Sequence, residues 1–357
     1  MVCTSYTAAV CLRVSSITTC ALLGCPRLGK PLLGLLHSIR YFATRDQWEI
    51  WTNCLCTRIC HSGVSKKEKV CFMAVNDSVS TKRSVQTPSG RISYTEQGSG
   101  PVALFVHGVL LNGYLWRHQQ AALSDIRRTI AVDLLAHGGT EITSSQDVSV
   151  TANATMLNEF LEALSIDKAD VVGNDSGGGI AQIFSALYPE RVRTLTLTNC
   201  DTHDNWPPEA FKPFVEMVKA GGLRGTLEAV LKDKSIYRSP GALGPAYEHP
   251  EQVTDETIET YFRPFVATEQ RTRDLERFIV AFDNKYTVEV EPKLKELQAP
   301  TLIVWGTDDV YFDVKWSHWL AETIPGTKRR VEFEGARIFF PEERPEDFNR
   351  ELRDFWK

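Results

Sequence analysis

The segment from Asp170 to Gln182 constrains the fold of this chain more than any other. It reads Asp-Val-Val-Gly-Asn-Asp-Ser-Gly-Gly-Gly-Ile-Ala-Gln, so an apolar run ends at Gly173 and three consecutive glycines then open a helix-like stretch. The pattern predicts a buried strand, a very tight turn and a helix. In such a turn the central residue adopts a strained backbone conformation, and its side chain stands free above the sheet.

The glycines indicate which residue the turn presents. Crowding leaves no room for a Cβ atom two residues before and two residues after the central position. Gly173 and Gly177 occupy those positions if Asp175 is central, whereas centring the turn on Ser176 puts Asn174 at a crowded flank. We therefore predict that Asp175 is presented. The alternative is an ordinary glycine-rich turn that binds phosphate.

Composition excludes some classes of function. The chain has 357 residues, of which 43% are apolar and 24% are charged, as in ordinary globular proteins. Its net charge of −5 gives no argument for a nucleic-acid partner. No stretch approaches the roughly 20 apolar residues that a membrane span needs. The length allows one large domain or two ordinary ones, and the oligomeric state stays open.

The first 72 residues differ in composition from the rest. Residues 1–45 contain several arginines and no Asp or Glu, as mitochondrial transit peptides do, and Arg40-Tyr-Phe-Ala-Thr44 resembles a matrix-protease cleavage site. The alternative is an accidental basic leader on a cytoplasmic protein, and Met73 is a further candidate start. We expect residues 1–72 to form an unstructured extension and the polar segment Met73–Gly90 to be loose.

Cysteines are concentrated in this extension. Eight of the nine precede residue 72, and Cys200 is the exception. The spacing Cys54-x-Cys56-x3-Cys60-His61 matches no standard zinc site, so we predict reduced thiols and no bound metal. We also expect no cofactor.

Strands and helices alternate from residue 85 onward. The predicted strands are Arg91–Glu96, Val102–Val106, Thr129–Asp133, Asp170–Gly173, Thr194–Thr198, Pro300–Gly306 and Arg330–Glu334. Helices are predicted at Thr151–Ile166, Gly178–Tyr188, Val314–Ile324 and Pro345–Lys357. This order implies a mostly parallel, doubly wound sheet with right-handed crossovers, an α/β fold whose core spans 85–200 and 293–357.

The regular alternation is interrupted at residues 201–292. This segment is rich in proline and has helical stretches such as Glu209–Lys219 and Asp255–Phe262. An insertion between core strands lies over the strand ends, where α/β sheets bind ligands. We expect a helical cap whose aromatic residues, Trp206 among them, line an apolar pocket.

These motifs resemble the α/β-hydrolase superfamily over residues 91–357. The closest pattern is its aspartate-nucleophile branch, the haloalkane dehalogenases and epoxide hydrolases. The segment His107-Gly-Val-Leu-Leu-Asn-Gly-Tyr-Leu-Trp-Arg117 is similar to the dehalogenase segment H-G-N-P-T-S-S-Y-L-W-R and equal to it in length. The turn centred on Asp175 agrees with this branch, in which the turn is called the nucleophile elbow.

The resemblance implies roles for several residues. Asp175 would attack an electrophilic carbon and form an ester, which water then cleaves. The backbone N–H groups of Val109 and Ser176 would form the oxyanion hole. Asp309, three residues after Gly306, would be the acid that orients a catalytic histidine.

The chain departs from that pattern at the histidine. The family segment H-F-x-Q-E-x-x-P corresponds to Ile338-Phe-Phe-Pro-Glu-Glu-Arg-Pro345, and the sequence has no histidine after His318. Two residues that hold a halide ion in dehalogenases, an Asn and a Trp, are replaced by Val109 and Ser176, and Leu110 replaces a proline typical of epoxide hydrolases.

His203 is the candidate replacement for the missing base. It follows the strand after the elbow, with Asp201 and Asp204 as possible orienting groups. Alternatively Asp175, His203 and Asp309 would hold a metal ion, or His203 only stabilises its loop. We expect a hydrolase that acts on a small, largely apolar substrate and cleaves an ester bond, an ether or epoxide bond, or a carbon–halogen bond. The alternatives are a non-catalytic binding protein with this fold and a serine esterase that uses Ser176.

Overall fold

The computed structural model describes residues 10–14, 17–21 and 81–357. The chain separates into two compact units, residues 1–75 and 76–357. In the first unit, strand β1 (Val10–Val14) pairs antiparallel with β2 (Ile17–Ala21). The predictions of a transit peptide, of an unstructured extension and of cysteines without metal at 54–60 concern residues that lie almost entirely outside the described ranges, and they stay predictions.

The second unit is built on an eight-stranded sheet in the order β10-β9-β8-β7-β5-β6-β4-β3. Neighbours from β10 to β6 are parallel, and β4 and β3 pair antiparallel at one edge. The fold is thus the predicted α/β class. The strands are β3 (Thr81–Thr87), β4 (Gly90–Gln97), β5 (Val102–Val106), β6 (Arg128–Val132), β7 (Ala169–Asp175), β8 (Val192–Cys200), β9 (Thr301–Gly306) and β10 (Thr327–Phe333).

Helices connect the strands and cover the sheet. Within residues 81–357 they are α1 (Arg117–Leu123), α2 (Val150–Ala163), α3 (Ser176–Leu187), α4 (Lys212–Lys219), α5 (Leu223–Lys232), α6 (Ser235–Arg238), α7 (Asp255–Val266), α8 (Glu269–Val280), α9 (Lys285–Leu294), α10 (Lys315–Thr323), α11 (Phe340–Glu343) and α12 (Pro345–Phe355). In the described part of the chain, no helix combines the length and the apolar character needed to cross a membrane.

Burial explains why the central strands could be predicted. Every residue of β5, β7 and β9 is buried, as continuous apolar runs between two layers of helices must be. Strand β4 lies at the antiparallel edge, as its alternating pattern indicated.

Strand β3 was not predicted, because the sequence before Gly90 is polar and suggested a loose segment. That expectation is wrong for Thr81–Thr87, which pairs with β4 along its whole length. This edge strand contacts helix α2, and its Val85 packs against the core, while the remaining positions tolerate polar side chains. Lys82, Arg83 and Ser84 are indeed exposed.

The segment between β8 and β9 contains helices α4 to α9. Helix α9 packs on α3 beside the sheet, although most of it falls in the range predicted as a cap. The segment around Tyr247 is joined by a hydrogen bond and an ion pair to the residues in and next to α11. Phe339 N–H donates to the Ala246 carbonyl over 3.4 Å, and Arg344 makes a two-pronged ion pair with Glu248.

A buried polar network strengthens this tie, and Glu342 lies at its centre. Its carboxylate accepts hydrogen bonds from the hydroxyls of Tyr247 and Tyr261, both at 3.2 Å, and pairs with Arg117 at 2.6 Å. The Tyr247 and Tyr237 hydroxyls are 2.9 Å apart. The Glu342 side chain is only 8% exposed, so these partners depend on one carboxylate.

We predict that Glu342→Ala lowers the free energy of unfolding by about 2–4 kcal/mol, because it leaves a partly buried guanidinium and two buried hydroxyls without their acceptor. Urea denaturation measures this effect. Glu334→Ala, at an exposed glutamate, is the control and should change stability by less than about 0.5 kcal/mol. Equal stability of the two variants would show that the network contributes nothing.

Candidate active site

Asp175 lies where strand β7 turns into helix α3. Its backbone has φ 58° and ψ −137°, a conformation that non-glycine residues rarely adopt. The flanking glycines are required by close packing. A Cβ at Gly173 would lie 2.6 Å from the Gly177 carbonyl oxygen, and a Cβ at Gly177 would lie 2.3 Å from the His107 carbonyl oxygen. The strained residue of the turn is therefore Asp175 rather than Ser176.

Backbone donors hold the Asp175 carboxylate. Its Oδ1 accepts a hydrogen bond of 2.7 Å from Ser176 N–H, and the N–H of Val109 also bonds to the carboxylate and lowers its pKa. Burial outweighs both donors and, together with the negative charge of Asp309, raises the pKa of Asp175 to about 8. The two groups expected to form an oxyanion hole thus converge on the aspartate itself.

The Asp175 side chain faces a narrow apolar pocket, and the residue is 8% exposed. The free volume is about 20 Å³, room for a water-sized molecule as the side chains stand. The lining residues with ionisable side chains are Asp175, Asp201 and Tyr311. The other lining residues are apolar: Val109, Leu110, Pro208, Phe211, Leu243, Ala246, Phe282, Phe312, Ile338 and Phe339.

Asp309 lies near Asp175 but is held by other groups. Its Oδ2 accepts from Asn199 Nδ2 at 2.7 Å, and its Oδ1 accepts from Tyr311 N–H at 2.8 Å. Burial raises the pKa of Asp309 to about 7, although these donors and Arg337 oppose the rise. No histidine is among its hydrogen-bond partners within residues 81–357.

Ile338 lines the pocket where the resemblance would place a histidine. It is 3% exposed, and its carbonyl oxygen accepts a hydrogen bond of 2.9 Å from Asn174 Nδ2, one residue before Asp175. The pocket lining contains no histidine at all over the described ranges. Ile338 therefore contributes an apolar wall and cannot carry a proton.

The structure does not bring His203 to Asp175. Its Nδ1 lies 3.0 Å from Glu291 Oε2 on α9, and its ring stacks on Trp319 of α10 with centroids 4.7 Å apart. Neither contact is part of the pocket lining. A base for Asp175 must reach it directly or through one water. The prediction of His203 as a displaced base is therefore corrected, because its ring contacts Glu291 and Trp319 and does not line the pocket.

Trp206 and the Ser176 hydroxyl also differ from expectation. Trp206 is 2% exposed and packs edge-on against Phe282 at 5.6 Å, so it supports a pocket residue without lining the pocket. The Ser176 Oγ is buried and has no hydrogen-bond partner among the described residues. Within residues 81–357 no base is hydrogen-bonded to this hydroxyl, and the Ser176 backbone N–H donates to the Asp175 carboxylate.

Two further histidines have structural roles. His107 Nε2 accepts a hydrogen bond of 3.1 Å from Leu134 N–H, which connects the loop after β5 to the loop after β6. His137 Nδ1 lies 2.8 Å from the Leu135 carbonyl oxygen, and its ring packs between Phe265 and Phe278. Burial lowers the pKa of both rings, so they stay neutral.

Asp201 lines the pocket, although the sequence had suggested that it contacts His203. With Asp204 it was one of two possible orienting groups for His203, yet it is 1% exposed and lines the pocket with Asp175. Strand register contained the signal, because β8 pairs beside β7 and its last residue, Cys200, lies opposite Asp175. The next residue along β8 therefore reaches the same edge of the sheet.

The carboxyl groups do not form a metal centre. Across the described ranges, no group of three His, Cys, Asp or Glu side chains is arranged to hold a metal ion. The alternative of a metal bound by Asp175, His203 and Asp309 is therefore not supported, because His203 lies elsewhere.

Comparison with known proteins agrees with this architecture. The family described as "alpha/beta hydrolase fold" matches residues 101–344. The chain is 24% identical over 294 residues to epoxide hydrolase 1 of Caenorhabditis elegans, covering 76% of this chain and 69% of that protein. It is 27% identical over 273 residues to the 2-hydroxy-6-oxononadienedioate/2-hydroxy-6-oxononatrienedioate hydrolase of Paraburkholderia phymatum, covering 74% and 90%.

Solved structures show the same fold. A putative lipase from Acinetobacter baumannii superposes with a TM-score of 0.66 at 21% identity, covering 78% of this chain and 91% of that one. The family match extends over most of the β5-to-α11 region that builds the pocket. The chain therefore belongs to the alpha/beta hydrolase fold family.

Proposed function

We propose that this protein is a hydrolase that uses the Asp175 carboxylate to attack an electrophilic carbon of a small, largely apolar substrate. The observation that carries the proposal is the strained turn, which holds a carboxylate at the pocket with two backbone N–H groups on it. Strain of this kind persists only where surrounding packing maintains it, and it is concentrated at functional sites.

The first step suits this geometry. The carboxylate oxygen that faces the pocket forms a bond to the substrate carbon, the leaving group departs with the bonding electrons, and an ester to Asp175 results. An apolar pocket strips water from the carboxylate and so increases its reactivity. The attacking group must be ionised, which ties the reaction to a pKa of about 8.

The second step explains why the N–H groups point at Asp175. When water attacks the ester, the negative charge develops on the carboxyl oxygen of the aspartate itself. Val109 N–H and Ser176 N–H bond to that carboxyl group before the reaction starts, so they need no reorganisation. In a serine esterase the same donors would have to be free for a substrate carbonyl.

The pocket favours small substrates. Phe211, Leu243 and Phe282 from the segment between β8 and β9 close it on one side. Because the free volume is about 20 Å³, these side chains must move to admit a substrate of even a few carbon atoms. Apolar contacts then supply most of the binding energy.

A second candidate function is non-catalytic binding of a small molecule. Ile338 favours this candidate, because an isoleucine occupies the position where the resemblance would place the histidine that activates water. Multiple turnovers by the wild-type protein would exclude this candidate. The serine esterase alternative is weaker, because the Ser176 hydroxyl has no base beside it.

We predict that Asp175→Asn abolishes covalent adduct formation and lowers turnover by at least about 10³-fold, because an amide is not a nucleophile. Intact-mass spectrometry after incubation with small epoxides, haloalkanes and esters measures the adduct, and product analysis measures turnover. Peptide mapping should place the adduct on Asp175.

Ser176→Ala separates the two nucleophile assignments. It keeps the backbone N–H, so the adduct should still form and turnover should fall by less than about tenfold. Turnover that survives in Asp175→Asn but disappears in Ser176→Ala would contradict the proposal and favour the serine esterase.

We predict that Asp309→Asn moves the pH midpoint of Asp175 alkylation to lower pH by on the order of one unit. The negative charge of Asp309 raises the pKa of Asp175, so its removal leaves more carboxylate at a given pH. Rates of adduct formation between pH 5 and 10 measure the midpoint. Asp308→Asn, at the exposed neighbouring residue, is the control. A shift to higher pH would contradict this role.

We predict that Asp175→Asn stabilises the fold increasingly as pH rises. The folded protein holds the Asp175 proton up to about pH 8, whereas the unfolded chain releases it near the ordinary value of 3.8. Wild-type stability from this group is therefore lost as pH rises between these values. Urea denaturation should show an advantage for the variant that grows by about 2–4 kcal/mol from pH 5 to pH 8. A constant difference would contradict the raised pKa.

A further inference from the structure

The pocket holds a second carboxyl group that the covalent step above does not use. Asp201 directly follows β8, whose last residue lies opposite Asp175 across the β7–β8 pair. Its backbone carbonyl accepts a hydrogen bond of 2.8 Å from Gln182 Nε2 on α3. The residue is therefore held at the same sheet edge as Asp175, and both line one pocket.

The Asp201 carboxyl is buried and incompletely partnered. The residue is 1% exposed, and its Oδ1 has no hydrogen-bond partner within the described part of the chain. A buried polar atom left in this state costs about 1–3 kcal/mol. Native proteins rarely retain such a group without a function for it. An oxygen of this kind on a pocket-lining side chain is available to a molecule that enters the pocket.

Asp201 is the group of the pair that keeps its proton. Burial raises the pKa of Asp201 well above its ordinary value, and the nearby negative charge of Asp175 raises it further. Asp175 has two backbone donors for its charge, whereas the free Oδ1 of Asp201 has none. Because the pKa of Asp175 is about 8, this residue is ionised at mildly alkaline pH, whereas burial and the charge of Asp175 favour the protonated form of Asp201.

We propose that Asp201 is the acid and base of the reaction, and that the bond cleaved in the first step joins carbon to an oxygen that needs a proton to leave. The proposal rests on the function proposed above, with Asp175 as nucleophile. Asp201 would carry out both proton transfers. It would be needed for an oxygen leaving group, which takes up a proton, but not for a halide, which departs without one.

The first step balances with these two residues. An Asp175 oxygen forms a bond to the substrate carbon while the carbon–oxygen bond breaks and its electron pair goes to the oxygen. The Asp201 carboxylic acid transfers its proton to that oxygen, which becomes a hydroxyl, and Asp201 becomes a carboxylate. For an epoxide, the product is an ester of Asp175 that carries the new hydroxyl on the neighbouring carbon.

The second step restores both groups. Water adds to Cγ of Asp175 and gives one proton to the Asp201 carboxylate, which becomes neutral again. The carbon–oxygen double bond re-forms, the alcohol oxygen leaves, and it takes the remaining proton of the added water. Asp175 returns as a carboxylate and a diol is released. One carboxyl group that alternates between acid and base is an established arrangement in enzymes with paired carboxylates.

The experiment compares two electrophiles with the same carbon skeleton, styrene oxide and (2-iodoethyl)benzene, in a single turnover. We expect Asp201→Asn to slow adduct formation from styrene oxide by about 10²–10⁴-fold, the usual contribution of general acid catalysis. Adduct formation from the iodide should stay within about threefold of wild type. Esters from both electrophiles should persist at least about 100-fold longer, because the base for water is lost.

Each arm of the experiment has a control. Asp204→Asn makes the same change at an exposed position of the same loop and should match wild type for both electrophiles. Tyr311→Phe tests the other ionisable side chain of the pocket. Iodide alkylation of Asp201→Asn at a near wild-type rate shows in itself that the pocket is folded. Misfolding or a purely structural role would slow both electrophiles equally.

The outcomes separate this proposal from the one it rests on. Equal slowing of both electrophiles by Asp201→Asn, or a loss specific to the epoxide in Tyr311→Phe alone, overturns the role of Asp201 and leaves Asp175 as nucleophile. An adduct on Asp175 with unchanged kinetics in Asp201→Asn does the same. Wild-type protein that forms no adduct with either electrophile overturns both proposals.

Discussion

The backbone conformation of Asp175 is the constraint on which the rest of the site depends. A φ of 58° at a non-glycine residue costs on the order of 1–3 kcal/mol and must be maintained by packing. The crowding of Gly173 and Gly177 against neighbouring backbone supplies that packing, because neither position can accept a Cβ. One distorted residue thus places a carboxylate at the pocket and, in the same turn, aims the Ser176 N–H at it.

The second consequence is electrostatic. The elbow brings Asp175 to a pocket that also contains Asp201 and lies near Asp309, and the lining offers no cation to balance them. Charged groups stripped of water become neutral when they cannot pair. Protons rather than counterions neutralise these groups. Burial raises the pKa of Asp309 to about 7, and burial together with the charge of Asp309 raises the pKa of Asp175 to about 8.

Much of this architecture could be predicted, because it depends on local patterns. Continuous apolar runs identify β5, β7 and β9, and glycine spacing centres the turn on Asp175. Strand β3 was missed because edge strands need no apolar face. Its residues form backbone hydrogen bonds to β4, and no pattern of side chains predicts these bonds.

The orientation of side chains in loops was the less predictable part. His203 and Asp201 are two residues apart after β8, yet Asp201 lines the pocket, whereas His203 stacks on Trp319 and is not part of the lining. His203 has a positive φ of 50°, which turns the chain between the two residues. Sequence adjacency therefore suggested a pair that the backbone separates, whereas Asp175 and Asp201 are joined by strand register.

The isoleucine at position 338 and the acidity of the pocket are physically connected. An imidazolium beside Asp175 would lower its pKa by roughly 1–3 units and would also leave Asp201 ionised more readily. An isoleucine at that position keeps the pocket apolar, so a carboxylic acid stays protonated where it would otherwise lose its proton. The apolar side chain at position 338 thus maintains the conditions under which Asp201 would carry the proton in the proposed reaction.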